Sequence, residues 1–211
     1  MTKYAYLNAR VSILAGRLLS ETRLTELLNH PLGQQRTGNA TLDEWLNDVK
    51  MDSSGLEQDW LMKMLIDFEV LIRLLSGEER ELPLYWLRKC EIANIKTIVR
   101  GKLGGLSANE MSSHLMELGS FATLPIDQLL HTEEVSELLR QLENSPYGNI
   151  ARQARRVFEK EHHLYSLDAA IDRHYLLGLV QRMRALNGKQ RESLLPLFSI
   201  FIARFNLLWL L

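Results

Sequence analysis

Only one cysteine, Cys90, occurs in the 211 residues, so no internal disulfide is possible and the chain suits a reducing compartment. No charge of either sign dominates: 25 Lys and Arg stand against 26 Asp and Glu, a net charge of −1, which gives no case for a nucleic-acid partner. The opening MTKYAYLNARVSILAG has no apolar stretch behind a basic start, so it does not read as a secretory leader. Runs of alternating apolar and polar residues long enough to build a sheet are also missing. What remains is a chain with 46% hydrophobic and 24% charged residues, an ordinary globular balance sufficient for one or two cores.

Apolar positions recur at helical steps of three and four throughout. Tyr4, Leu7, Val11, Leu14 and Leu18 mark one face; Leu61, Leu65, Phe68, Ile72 and Leu75 mark another; Ile171, Tyr175, Leu179, Met183 and Leu186 mark a third. Helix starts are predicted at Thr41, at Ser107 with Glu110 three residues on, and at Thr132 before Glu133 and Glu134. Gly77, Gly104, Gly105 and Gly188 are placed to stop helices, and Pro31, Pro83, Pro125, Pro146 and Pro196 are assigned to junctions or first turns. Residues 33–39 are the most loop-like stretch. The expected fold is all-α, with about ten to twelve helices.

The chain also nearly repeats itself. Asn29-His30-Pro31-Leu32-Gly33 returns as Asn144-Ser145-Pro146-Tyr147-Gly148, an offset of 144 − 29 = 115. The run opening at Asp59 returns at Asp172 (offset 113), Ser76-Gly77 returns as Asn187-Gly188 (111), and the helix around Asn94 returns around Asn206 (112). This period is too long for a common solenoid unit of roughly 20–50 residues and fits tandem helical repeats of a small domain. The first repeat is assigned to residues 1–105 and the second to 106–211, with the second incomplete in its last helix.

The helix around Asn94 carries the sharpest local oddity. Leu87, Glu91, Asn94 and Ile98 share one face, so a carboxylate and an amide lie within an apolar stripe. An unsatisfied buried polar group costs roughly 1–3 kcal/mol, so both require partners. The favoured reading is a structural polar contact that fixes how helices or repeats pack; a ligand or ion site is the alternative. The second copy keeps Asn206 but has Ala203 where Glu91 stood (91 + 112 = 203), which favours the structural reading. Cys90, in the same helix, reads as a small buried hydrophobe.

Other chemistry-like patterns fail on spacing. Gly101-Lys102-Leu103-Gly104-Gly105 lacks the order of a phosphate-cradling loop and reads as a helix stop. Glu159-Lys160-Glu161-His162-His163 does not match a zinc helix and reads as a solvated face. Arg152-Gln153-Ala154-Arg155-Arg156 reads as exposed helix surface, with an acidic partner or lipid headgroups as the alternative. No catalytic, cofactor-binding or metal residue is assigned.

YAYLNARVSILAGRLL at 4–19 and YWLRKCEIANIKTIVRGKLGG at 85–105 resemble the C/AC39 family of rotary V-type ATPases, which comprises the bacterial and archaeal C subunits and the related eukaryotic d subunits. The marks are Tyr6, Leu7, Ala9, Arg10 and Val11, then Glu91, Asn94 and Arg100, then Asn206 alone; residues 144–148 and 172–175 also look like the family. Members typically hold three such repeats, and this chain would hold one full repeat and most of a second. The resemblance implies a non-catalytic rotor part on the cytoplasmic face of the membrane. There it would form a socket between the proteolipid ring and the central stalk, pass torque for ion transport, and meet the membrane only through the ring. It implies no cofactor. An all-α adaptor or scaffold of another complex is the alternative.

Residues 194–211 (LLPLFSIFIARFNLLWLL) approach transmembrane length with one charge. Arg204 and Asn206 near the middle argue against a membrane anchor, since a central Arg costs about 2.5 kcal/mol or more. An apolar helix without its cover predicts a sticky or self-associating C-terminus. The expected outcome in sizing chromatography is an elution volume that falls as concentration rises; a clean monomer at high concentration would contradict it.

Overall fold

A computed structural model describes residues 4–18, 20–29 and 53–210, which form helices joined by turns and loops, without strands. The helices are α1 (Ala5–Ala15), α2 (Glu21–Asn29), α3 (Ser53–Ile72), α4 (Glu78–Leu103), α5 (Ala108–Ser113), α6 (Ile126–Leu130), α7 (Val135–Leu142), α8 (Gly148–Glu161), α9 (Leu164–Ala185) and α10 (Gly188–Leu210). A 3₁₀ turn, Gly119–Phe121, lies between α5 and α6. Among the described residues no helix is long and apolar enough to cross a membrane.

The chain divides into two compact units, Met1–Leu74 and Leu75–Leu211. The repeat boundary expected at 105/106 falls inside the second unit; a compact unit and a sequence repeat are different quantities. In the first unit, Leu65 and Ile72 of α3 are buried, as the helical spacing predicts. The α1 stripe behaves otherwise. Tyr4, Val11 and Leu18 are exposed, and Arg10 Nε donates to the Tyr6 hydroxyl at 3.0 Å on the same open surface. The helix start at Thr41 and the loop at 33–39 lie outside the described residues.

The second unit is built around α4. Its 26 residues make a rod of roughly 39 Å at 1.5 Å per residue. Acids Glu78, Glu79 and Glu81 fill its first turn and Arg100 and Lys102 its last, the order that the helix dipole favours. Eleven of its residues are buried, Ile98 and Val99 completely. One core joins Tyr85, Ile92, Ile95, Ile98 and Val99 to Leu138, Leu139 and Leu142 of α7, to Ala154 of α8, and to Leu167, Ile171, Tyr175, Leu179 and Met183 of α9.

Local signals held unevenly. Ser107 and Glu110 form a full capping box: Ser107 Oγ accepts from Glu110 N–H, and Glu110 Oε2 accepts from Ser107 N–H at 2.8 Å. Thr132 does not start a helix. Its hydroxyl donates back to Leu129 O at 2.8 Å, closing α6, and α7 starts three residues later. Gly77 begins α4 rather than stopping α3, with φ +56°, a conformation suited to glycine. Pro83 and Pro196 lie inside α4 and α10, each removing one main-chain hydrogen bond, rather than at junctions.

Where α4 crosses α9, Tyr85 and Tyr175 stack with ring centroids 5.5 Å apart and planes within 10°. Each hydroxyl donates to the other helix, Tyr85 to Tyr175 O at 3.2 Å and Tyr175 to Trp86 O at 3.0 Å. Burial pushes both phenol pKa values up, so both remain neutral donors. Gly178 permits this approach, because a methyl on its Cα would overlap the Tyr85 hydroxyl. Gly178→Ala is expected to cost about 1–3 kcal/mol by overpacking, read as a lower denaturation midpoint. Tyr85→Leu removes both colliding atoms, the hydroxyl and Cζ, so the double variant should lose clearly less than the sum of the two singles. Strict additivity would show that Gly178 and Tyr85 do not share the contact.

Candidate functional site

The α4 face with the buried carboxylate and amide is the most organised polar site of the described residues. Glu91 and Asn94 are only 4% and 3% exposed, so their hydrogen bonds must come from protein. Asn94 pairs with one peptide group: its Nδ2 donates to Met116 O at 2.8 Å, and its Oδ1 accepts from Met116 N–H at 2.8 Å. Glu91 Oε1 accepts from Thr123 N–H at 2.5 Å and Leu124 N–H at 3.0 Å. Glu91 Oε2 accepts from the Thr123 hydroxyl at 2.7 Å and from the Tyr147 hydroxyl.

These two side chains therefore hold the segment between α5 and α6, which has little regular structure to satisfy its own main chain. Each carboxylate oxygen has two donors, and the amide uses donor and acceptor on one peptide. A carboxylate so occupied has no lone pair available for proton abstraction or metal ligation. Tyr147 is held as a donor; burial first, then its hydrogen bond to Glu91, drives its pKa up.

Tyr147 belongs to the Asn144–Gly148 stretch, whose own geometry fixes its position. Ser145 Oγ donates to Leu142 O at 2.7 Å and accepts from Tyr147 N–H at 3.1 Å, while a methyl at Gly148 would overlap Glu143 O. Arg88 of α4 lies over both the Tyr85 and Tyr147 rings and donates to Pro146 O at 3.3 Å. The Asp172–Tyr175 stretch meets α4 on the α9 side. Asp172 pairs with Lys96 at 2.5 Å, and one turn away Asp168 pairs with Arg100. The second Asp168 oxygen, Oδ1, is buried without a partner. Lys102 donates to Leu130 O at 3.0 Å and to Thr132 O, satisfying carbonyls at the end of α6.

Asn206 has different surroundings. It is exposed, and with Arg173, Leu176, Leu177, Val180, Ala169 and Ile202 it lines a mostly apolar cleft of about 390 Å³ between α9 and α10. Cys90 is buried, and burial raises its thiol pKa, an inert arrangement. His162 ends α8 in the left-handed region and His163 caps α9, so the two histidines lie exposed at a helix junction. Arg155 of the basic cluster is paired with Glu143 and Glu159. Among the described residues no three His, Cys, Asp or Glu side chains gather as a metal site would require.

The buried polar stripe was legible, but its partners were not. Tyr147 lies 56 residues from Glu91 and Thr123 lies 32, separations that no local spacing encodes. Asp168 and Gly178 were missed for the same reason.

Asn94→Leu leaves the Met116 N–H and C=O without their partner. The expected cost is about 1–3 kcal/mol per unsatisfied group, with Met116 amide exchange accelerated. Unchanged exchange at Met116 would show that the pairing does not hold the segment.

The family model described as ATP synthase (C/AC39) subunit matches residues 7–211. The C subunit of the A-type ATP synthase of Methanocaldococcus jannaschii is 25% identical over 199 residues, covering 91% of this chain and 49% of that protein. That of Methanothermobacter thermautotrophicus is also 25% identical, over 97% of this chain and 52% of its own length. That of Thermococcus kodakarensis is 33% identical over 113 residues, which cover 49% of this chain and 30% of that protein. The chain thus spans about half the length of the first two relatives. No solved structure matches it significantly.

Proposed function

Because the chain belongs to the ATP synthase (C/AC39) subunit family, we propose that it is a non-catalytic rotor subunit of a V-type or A-type ATPase or ATP synthase. In this role it forms part of the socket between the central stalk and the membrane proteolipid ring. It lies on the cytoplasmic face, touches the membrane only through the ring, and passes torque for ion transport.

The observation that carries the reading is the extent of the family match, residues 7–211, because it includes every motif that converges on α4. A torque-bearing part needs helices that do not slide. The α4–α9 crossing supports that need through the Tyr85–Tyr175 stack and two ion pairs one turn apart. The organised polar site supports a structural rather than a chemical role, since its carboxylate is fully occupied by donors.

The test is depletion followed by rescue. Cutting the chain before Leu106 would strip Glu91, Asn94, Lys96 and Arg100 of the partners described above, so misfolding would confuse the outcome. Inverted native vesicles lacking the whole protein are expected to hydrolyse ATP without accumulating ions, and adding the full chain back should restore accumulation. Unchanged ion uptake without the protein would overturn the coupling role. Recovery of the tagged chain with soluble partners alone would favour an adaptor of another complex.

A further inference from the structure

Several cations at helix contacts of the second unit are answered by carboxylates: Lys96 by Asp172, Arg100 by Asp168, and Arg155 by Glu143 and Glu159. Arg88 of α4 and Arg182 of α9 are held differently. Neither forms an ion pair among the described residues, although both are half-buried and meet at one place.

That place is the Tyr85 ring. The guanidinium carbon of Arg182 lies 3.8 Å from its centroid and that of Arg88 lies 5.1 Å away. Each side chain is fixed by one main-chain carbonyl: Arg182 Nη1 donates to Gly178 O at 3.1 Å, and Arg88 Nη1 donates to Pro146 O at 3.3 Å. The ring itself cannot turn away, since it stacks on Tyr175 and its hydroxyl is held by Tyr175 O. Burial raises the Tyr85 pKa, and Arg182 and then Arg88 oppose that rise, so both charges act on one group.

An aromatic face attracts a cation through its quadrupole but does not neutralise it. Stacking occupies the flat face of a guanidinium and leaves its N–H edge for an oxyanion. With one carbonyl each, most of both forks is unused. Two like charges fixed at one ring repel, and an anion touching both removes that cost. Glu81, one turn before Tyr85 on α4, forms no ion pair with either among the described residues.

The surroundings select the anion. The net charge of −1 gives no general attraction for nucleic acid. Exposed residues flanking the pair in the chain, Gln181, Arg184, Asn144 and Asn149, are polar, whereas a surface lying on a bilayer presents apolar ones. The chain's own precedent is a carboxylate: Asp168 meets Arg100 and Glu143 meets Arg155 across helix contacts.

We propose that Arg88 and Arg182 form the docking point for a carboxylate of an acidic protein partner, which both guanidinium forks grip beside Tyr85. The inference rests on the reading that the chain is one subunit of an assembly, and it does not depend on torque.

Zero-length crosslinking tests it. Arg182→Lys, and Arg88→Lys in a second variant, place a primary amine at the site. A water-soluble carbodiimide joins an amine to a carboxylate in contact with it: the amine nitrogen bonds the acyl carbon, and one carboxylate oxygen leaves with the carbodiimide as a urea. The full chain is treated in native membranes, and crosslinked peptides are sequenced by mass spectrometry. The expected product, absent when arginine is present, joins position 88 or 182 to an Asp or Glu of another protein. Arg182→Gln should weaken retention of that protein about tenfold, equivalent to about 1.4 kcal/mol, and Arg182→Lys by less. Rising salt should loosen the parent contact as well. A new amide only to an acid of this chain such as Glu81, no new amide from either variant, or retention unchanged by Arg182→Gln would overturn the proposal. Binding to anionic phospholipid vesicles that Arg182→Gln abolishes would overturn it too, by assigning the pair to a membrane. The expected crosslink in an assembly without ATPase activity would leave this inference standing and remove the coupling role.

Discussion

Burying a carboxylate commits the surrounding chain to supply donors. Glu91 is placed in the middle of the longest helix among the described residues, among isoleucines and beside a buried cysteine. Water cannot reach it to satisfy its lone pairs. Two main-chain N–H groups and two hydroxyls therefore have to converge on one point, drawn from Thr123, Leu124 and Tyr147. The path of the chain between α5 and α8 follows from that demand. The segment after α5 must bend so that two successive amides point at the carboxylate, and the turn before α8 must aim Tyr147 inward. Ser145 and Gly148 are the local means of doing so.

Polar and apolar contacts divide the work around α4. The face toward α9 gains most from area: Ile171, Tyr175, Leu179 and Met183 bury apolar surface against it, each worth roughly 1.5–3 kcal/mol when fully covered. Area alone sets no register between two helices. The paired tyrosine hydroxyls and the Lys96–Asp172 and Arg100–Asp168 pairs do, because each requires one particular alignment along the rod. Packing supplies most of the stability here, and the polar contacts select one arrangement from the many that packing would accept.

Helical class, the α9 stripe and the Ser107–Glu110 box were readable because each depends on residues within one or two turns of each other. Ile171, Tyr175, Leu179, Met183 and Leu186 are all buried where their spacing places them. Thr132 misled because a threonine before two acids fits two local structures, and a hydroxyl returned to the carbonyl three residues back gives no different spelling. The α1 stripe has helical spacing, yet Tyr4 and Val11 are exposed; periodicity defines a face without stating what covers it. The site was half legible. Glu91 and Asn94 stood out as polar residues in an apolar stripe, and Tyr147 stood in a recognisable stretch. Their meeting depends on tertiary geometry.

The position of α4 in the chain has a consequence for synthesis. The partners described for Glu91, Asn94, Lys96 and Arg100 all come later: Met116, Thr123, Tyr147, Asp168 and Asp172. When the last residue of α4 is added, its apolar stripe still holds an unanswered carboxylate, and the last core residues of α9, near Met183, are about 80 residues from being made. At roughly 5–20 residues per second that interval lasts seconds, far longer than the microseconds a helix takes to form. The nascent chain therefore holds its future centre without its cover while those residues are made.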